Sequence, residues 1–232
     1  MRRAQKTQIT QETPPAARQK HREIRHLLIY IVLFFAMQTS YAYIYTISPY
    51  LQSDVVLQIA IRLATWTVPV IIYLIVTKKN PFDYLKLRKN ILKGLIWGLG
   101  YSLILGVLNV AGNYILKGKA GFNFNIGSDF LWKAIILVGF SEEVLFRGFF
   151  LQKMEGVSRF WAANIIGAIL FVLVHFPGWI FLNQFVLPNI LGSIAYILVF
   201  GLIQGIILKK ADSLWACMLI HSFSNLYSVM IF

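Results

Sequence analysis

Two adjacent carboxylates, Glu142 and Glu143, lie in a strongly apolar segment together with Arg147. The stretch GFSEEVLFRGFF that contains them falls within a predicted helix over residues 130–151. Placing one carboxylate at the centre of a bilayer costs roughly 2.5–3.5 kcal/mol even on lenient insertion scales. Glu143 and Arg147 have the i,i+4 spacing at which side chains meet across one helical turn. Glu142 points about 100° away and has no partner on its own helix. We therefore expect it to be unpaired, which indicates a functional role.

Other polar side chains lie in separate apolar runs of the chain. His175 ends the run ILFVLV, and the stretch HSFSN places His221 and Asn225 on one helical face. Taken alone, each of these could be structural, and Arg62 in a further run is interpreted as a snorkelling or ion-pairing residue. Taken together, a glutamate with a histidine can deprotonate a water molecule, and a histidine with an asparagine can stabilise the oxyanion formed at an amide carbonyl. The set predicts hydrolysis of an amide bond.

The elements that must position these side chains are apolar helices. Of the 232 residues, 58% are hydrophobic and 13% are charged, whereas soluble domains are nearer 45–50% and about 25%. The apolar residues come in runs of the length that crosses a bilayer. We therefore expect an all-α polytopic membrane protein with about seven transmembrane helices. The predicted spans lie near residues 27–47, 55–77, 91–116, 129–152, 158–176, 188–208 and 213–232.

Three local patterns refine this architecture. Pro69 lies inside the second span and predicts a kink there. The pairs Gly94/Gly98 and Gly201/Gly205 have the small-xxx-small spacing that lets membrane helices pack closely. The segment PGWIFLNQFVLP after the fifth span is apolar enough to predict either a continuation of that span or an additional re-entrant element.

The net charge of +13 is concentrated at particular places in the sequence. Basic residues cluster in residues 1–26, a predicted surface-lying or disordered tail, and in residues 78–93. Clusters that flank apolar spans are signals of membrane topology and contacts for anionic lipid, so we do not expect nucleic acid as a partner. With the N-terminus in the cytoplasm, the loops placed outside contain only Lys117 and Lys119 as basic residues. The pattern predicts a cytoplasmic N-terminus and an external C-terminus.

Three motifs resemble those of a known membrane protease family. The stretch EEVLFR matches an EExxxR motif, FVLVH an FxxxH motif and HSFSN an HxxxN motif. In this order and on separate apolar spans, they are typical of the CPBP family, the type II CAAX prenyl endopeptidases and their bacterial relatives, also called Abi or bacteriocin-immunity-type membrane proteases. The resemblance covers about residues 139–226 within a membrane domain of residues 27–232. The small size of the chain resembles the bacterial branch rather than the eukaryotic prenyl-protein processors.

The resemblance implies a fold, a reaction and a role for each motif residue. It implies a helical core that encloses an intramembrane catalytic cavity, in a bacterial cell membrane, with a membrane-associated peptide or protein as the substrate. Transferred motif by motif, Glu142 and His175 would activate the water, and His221 and Asn225 would form the oxyanion site. The adjacent pair of Glu143 and Arg147 would have a supporting role.

Two further interpretations use the same residues. Glu142, His175 and His221 could supply three ligands to a catalytic Zn²⁺ ion, although the sequence lacks an HExxH helix, and we favour chemistry without a cofactor. Alternatively, the chain could be a non-enzymatic membrane adaptor that regulates a sensor kinase or a cell-envelope protein. A transporter with a proton relay is disfavoured because the sequence shows no inverted repeat.

Overall fold

The computed structural model describes residues 15–232, with side chains described from residue 18 onward except at positions 129, 134 and 136. Over this range the chain is helical, and the described residues form no β-strand beyond one isolated antiparallel bridge between Phe122 and Ile231. The expected all-α architecture is confirmed.

The described residues up to Lys117 form six helices. They are α1 (Pro15–Ile47), α2 (Pro49–Ser53), α3 (Val55–Arg62), α4 (Val68–Val76), α5 (Pro81–Tyr84) and α6 (Ile91–Lys117), and a π-helical turn over Leu63–Thr67 joins α3 to α4. Pro69 follows this turn and cannot donate a hydrogen bond to the preceding turn of helix. The helix changes type just before Pro69, and a kink at this position stays a prediction.

The second half contains the motif residues. The helices are α7 (Ser128–Phe130), α8 (Val138–Glu143), α9 (Gln152–Glu155), α10 (Phe160–Leu173), α11 (Phe176–Phe181), α12 (Asn189–Ala211) and α13 (Leu214–Met230). Two π-helical segments, Leu131–Leu137 and Val144–Leu151, join α7, α8 and α9 into one continuous run. Such segments are frequent at functional sites.

Five helical segments of the described chain are long and apolar enough to cross a membrane. They are Arg18–Ile47, Val55–Val76, Ile91–Lys117, Phe160–Phe181 and Asn189–Ala211. The other two predicted spans correspond to the run α7–α9, which carries the charged motif residues, and to α13, which has 17 residues. Seven spans therefore stay a prediction.

Two boundaries differ from those expected. The first helix begins at Pro15 rather than near residue 27, because residues 15–26 are rich in good helix formers such as Ala, Arg, Gln and Lys. The described part of the predicted tail is therefore helical, and residues 1–14 lie outside the described residues. The fifth span continues through a turn into Phe176–Phe181, so the start of PGWIFLNQFVLP extends that span.

The predicted glycine pairs lie where helices approach closely. A Cβ atom added at Gly98 of α6 would lie 2.8 Å from Leu219 Cδ1 on α13, and one added at Gly205 of α12 would lie 1.8 Å from Asn164 Oδ1 on α10. Both distances are shorter than real Cβ contacts allow. These glycines therefore permit the packing of α6 on α13 and of α12 on α10. The helix α13 contains His221, and α10 contains the residues that precede His175.

Segments predicted to lie in the cytoplasm meet at one end of the molecule. Lys153 at the end of the run α7–α9 forms an ion pair with Glu23 of α1. Lys93 at the start of α6 donates a hydrogen bond of 2.6 Å to the carbonyl oxygen of Lys210 at the end of α12. This grouping agrees with a common side for these segments, and the orientation of the molecule in the membrane stays a prediction.

The ion pairs at this end predict a pH-dependent contribution to stability. Partial burial raises the pKa of Asp212, but hydrogen bonds from Lys86 and Lys89, at 2.8 and 2.6 Å, outweigh this effect and lower the pKa below its ordinary value. A lowered folded-state pKa stabilises the fold above the ordinary range of aspartate, and this contribution is lost as the pH falls through the folded-state pKa. Asp212 has the left-handed conformation, with φ of 53°, which asparagine tolerates.

We expect Asp212→Asn to reduce the free energy of unfolding by up to about 1 kcal/mol at neutral pH. The difference from the unsubstituted protein should shrink as the pH falls below the ordinary range of an aspartate carboxyl. Thermal melts of both proteins in one detergent over this pH range measure the effect. Equal melting temperatures at neutral pH would contradict the assignment.

Candidate active site

Glu142 is paired with a residue from a distant part of the chain. Arg62 at the end of α3 donates from Nη2 to Glu142 Oε1 at 2.5 Å and from Nε to Ser141 Oγ at 2.7 Å. The expectation that Glu142 is unpaired is therefore wrong, because it considered only partners on the same helix. The ion-pairing interpretation of Arg62 is confirmed. Glu142 itself is buried, with 6% of its surface exposed.

The position of Arg62 is determined by its surroundings on the second span. Its guanidinium lies over the ring of Trp66, 4.3 Å from the centroid, and its side chain is 22% exposed. Trp66 belongs to the π-helical turn that follows α3. The aromatic face and the carboxylate therefore hold Arg62 from two directions.

Glu143 is at the centre of a second buried contact. Arg147 Nη1 donates to Glu143 Oε1 at 2.9 Å, as the i,i+4 spacing predicted. The same oxygen lies 2.7 Å from His221 Nδ1, a contact that the sequence did not predict. Arg147 also lies over the ring of Phe171, 4.2 Å from the centroid. Glu143 therefore holds both a charged partner and a histidine from α13.

His221 lies between the two carboxylates. Its Nδ1 faces Glu143, and its Nε2 lies 3.7 Å from Glu142 Oε2, which is too long for a direct hydrogen bond. Because a carboxylate oxygen accepts, Nδ1 carries the proton that is donated to Glu143. The negative charges of Glu142 and Glu143 are balanced by the positive charges of Arg62 and Arg147.

His175 lies in the turn between α10 and α11. The turn lies between the end of α10 at Leu173 and the start of α11 at Phe176, whose second residue is Pro177. Its Nδ1 lies 2.8 Å from the carbonyl oxygen of Phe171, and a carbonyl oxygen can only accept, so Nδ1 donates. The neutral ring then presents the lone pair of Nε2 to its surroundings. Contact with Trp179, at 5.6 Å between ring centroids, limits the orientation of the ring.

Two cavities meet at His175. The first, called the Arg62 cavity, has a volume of about 410 Å³ and is lined by Arg62, Glu142 and His175 among other residues. The second, called the Asn225 cavity, has a volume of about 650 Å³ and is lined by His175, His221 and Asn225. The structure thus brings the predicted site residues from three separate helical segments around one histidine.

The Asn225 cavity contains a hydroxyl pair that the sequence motifs did not predict. Tyr196 of α12 and Ser224 of α13 both line it, and their oxygens lie 2.7 Å apart. Ser224 directly precedes Asn225 in the motif HSFSN. A tyrosine in an apolar helix gives no sequence signal of this contact, since its partner lies on another helix.

The zinc hypothesis requires Glu142, His175 and His221 to bind one ion. Among the described side chains, no group of three or more His, Cys, Asp or Glu residues is placed to hold a metal ion. Glu142 Oε1, a ligand in the zinc hypothesis, already accepts from the Arg62 guanidinium. A cation bound there would meet the positive charge of Arg62. This pairing is an argument for chemistry without a metal ion, which stays a prediction.

The comparison with family models concerns the second half of the chain. Residues 129–227 match the family described as type II CAAX prenyl endopeptidase Rce1-like. The match contains all three motifs, whereas Arg62 lies outside it. No curated protein and no solved structure matches the chain.

Proposed function

Residues 129–227 belong to the type II CAAX prenyl endopeptidase Rce1-like family, and we propose from this that the chain hydrolyses a peptide bond of a membrane-associated peptide or protein. In this proposal, Glu142 and His175 activate the attacking water molecule. One observation carries the proposal: a carboxylate and a histidine from separate helical segments line the same cavity. A bacterial membrane location and a role in bacteriocin immunity stay predictions from the sequence.

The first step is the activation of water in the Arg62 cavity. His175 presents the lone pair of Nε2, because its Nδ1–H is used by the Phe171 carbonyl. Glu142 presents Oε2, because Arg62 holds Oε1. A water molecule bound by these two acceptors would lose a proton as its oxygen attacks the carbonyl carbon of the peptide bond. Glu142 accepts that proton and then returns it to the leaving nitrogen as the peptide bond breaks.

The second step is the stabilisation of the oxyanion. Asn225 and His221 face the cavity that adjoins His175, and the side-chain amide of asparagine can donate to an oxyanion. His221 Nδ1 faces Glu143, so a donation from Nε2 requires the doubly protonated ring.

The experiment that tests the proposal is cleavage of peptides by the purified protein in lipid nanodiscs. We expect a pool of short apolar peptides to yield defined products by mass spectrometry, and we expect strong chelators to leave the rate unchanged. Loss of cleavage on removal of a stoichiometric metal would contradict the cofactor-free mechanism. An adaptor would keep its cellular phenotype when Glu142 is replaced by glutamine, whereas a peptidase would lose it.

Arg62 is expected to hold the Glu142 carboxylate in its orientation toward the Arg62 cavity. Arg62→Gln should lower kcat about 10- to 100-fold, since a hydrogen bond to a charged group contributes about 1.5–3 kcal/mol. Arg62→Lys should give an intermediate rate, because it keeps the charge and loses the paired contacts with Glu142 and Ser141. Peptide cleavage kinetics measure the effect, with exposed Arg88→Gln as the matched control. Full activity of Arg62→Gln would refute this role.

A further inference from the structure

The Arg62 cavity contains one positive charge more than its described carboxylates neutralise. The charged side chains that line it are Arg62, Lys133 and Glu142. Arg62 and Glu142 form an ion pair, which leaves the ammonium group of Lys133. Among the described side chains, no carboxylate forms an ion pair with Lys133.

Lys133 is held in place by a buried amide. Gln58 is 4% exposed, and its Nε2 donates to the carbonyl oxygens of Leu51 and Gln52 at 2.8 and 3.0 Å. Both amide hydrogens are therefore used, and this orients Oε1 toward Lys133 Nζ, with which it forms a hydrogen bond. The hydrogen bond to the buried Gln58 therefore fixes the position of the Lys133 ammonium group at the wall of the Arg62 cavity.

The contact with the neutral amide of Gln58 does not itself compensate the charge of Lys133. An ammonium group has three donors, and the neutral amide accepts from one of them. A carboxylate would accept from the others and neutralise the charge in a cavity of low dielectric constant. The cavity walls also include Tyr41, Tyr45 and Trp179, against which the apolar side chains of a peptide can pack.

We propose that Lys133 binds a carboxylate of the peptide substrate, an inference that rests on the peptidase function proposed above. Lys133 precedes Glu142 by nine positions in one helical run, or about 13 Å at 1.5 Å per residue. An extended peptide advances about 3.3–3.6 Å per residue. The bound carboxylate therefore lies about four residues from the bond that is cleaved. It is either the terminal carboxylate of the peptide or an Asp or Glu side chain.

The test compares peptides that differ only in the carboxylate. A defined set of short apolar peptides is made with a free C-terminal carboxylate, with a C-terminal amide, and with the amide plus one internal glutamate. Cleavage is measured in nanodiscs of neutral lipid for the unsubstituted protein, Lys133→Met, Lys133→Arg and the exposed control Lys119→Met. Melting temperatures of all four proteins are measured in parallel.

We expect the KM of the unsubstituted protein to be at least about tenfold lower for the peptides with a carboxylate than for the plain amides. One hydrogen bond between charged groups accounts for a difference of this size. Lys133→Met should abolish this preference while it still cleaves the amides, and Lys133→Arg and Lys119→Met should keep it. A preference confined to the free terminus identifies the terminal carboxylate. A preference for the internal glutamate identifies a side chain.

Two results would overturn the proposal without affecting the peptidase function. They are equal KM values for acid and amide peptides, and a preference that persists in a folded Lys133→Met variant. If no peptide is cleaved, the peptidase proposal fails, and equilibrium binding of fluorescent acid and amide peptides decides the role of Lys133. Equal binding by the unsubstituted protein and Lys133→Met would then exclude the carboxylate site.

Discussion

Glu142→Gln is expected to abolish peptide cleavage, with kcat at least about 10²- to 10⁴-fold lower, because it removes the acid–base group from the Arg62 cavity. Glutamine keeps the shape of the side chain and an oxygen that can accept from Arg62. Arg62 also keeps its hydrogen bond to Ser141 and its contact with Trp66. Its side chain is 22% exposed, so water screens part of the charge that the substitution leaves uncompensated. The melting temperature should therefore fall only slightly.

The measurements are peptide cleavage and thermal melts in the same nanodiscs or detergent. Glu155→Gln is the matched control, since Glu155 is an exposed carboxylate in the same helical run, and it should leave both quantities unchanged. Activity within a few-fold of the unsubstituted protein in Glu142→Gln would remove Glu142 from the mechanism.

Glu143→Gln is expected to have its main effect on stability. Glu143 is fully buried, and the Arg147 side chain is 4% exposed, so the substitution leaves a buried cation without its partner. Breaking such a pair costs about 3–5 kcal/mol. The double substitution Glu143→Gln/Arg147→Gln should recover much of this loss, because no unpaired charge then remains. Thermal melts of the two single variants and the double variant measure the recovery.

The folded fraction of Glu143→Gln should keep part of its activity. The glutamine oxygen can still accept from His221 Nδ1, so the ring keeps its orientation. Rates are therefore compared per folded molecule, at a temperature well below the melting transition. A stable but inactive Glu143→Gln together with an active Glu142→Gln would reverse the roles that we assign to the two glutamates.

The local contacts of the site were predictable, and the distant ones were not. The contact of Glu143 with Arg147 follows from the i,i+4 spacing within one helix, and the structure confirms it. The contact of Glu142 with Arg62 joins residues on different helices, and no periodicity within one segment indicates such a pair. The charged side chain in the second span was visible in the sequence, but its partner depended on the packing of the helices.

In the fold, too, some features were predictable from single segments of the sequence and others were not. Long apolar runs predicted the helices, and the spacing of Gly98 and Gly205 predicted their close packing. The boundaries were less predictable, because the polar residues after Pro15 favour helix and extend α1 beyond its apolar part. The sequence also did not predict that His175 lies in a turn. The apolar run ends at His175 whether the span stops there or continues past Pro177.

Cleavage of a peptide in H₂¹⁸O by the purified protein tests the central claim most directly. If water activated at Glu142 is the nucleophile, the new carboxylate of the N-terminal product gains one ¹⁸O atom. Glu142→Gln protein prepared in the same way should give no labelled product above the uncatalysed background. The account is contradicted if the unsubstituted protein gives products without ¹⁸O, or if Glu142→Gln gives labelled product at the same rate.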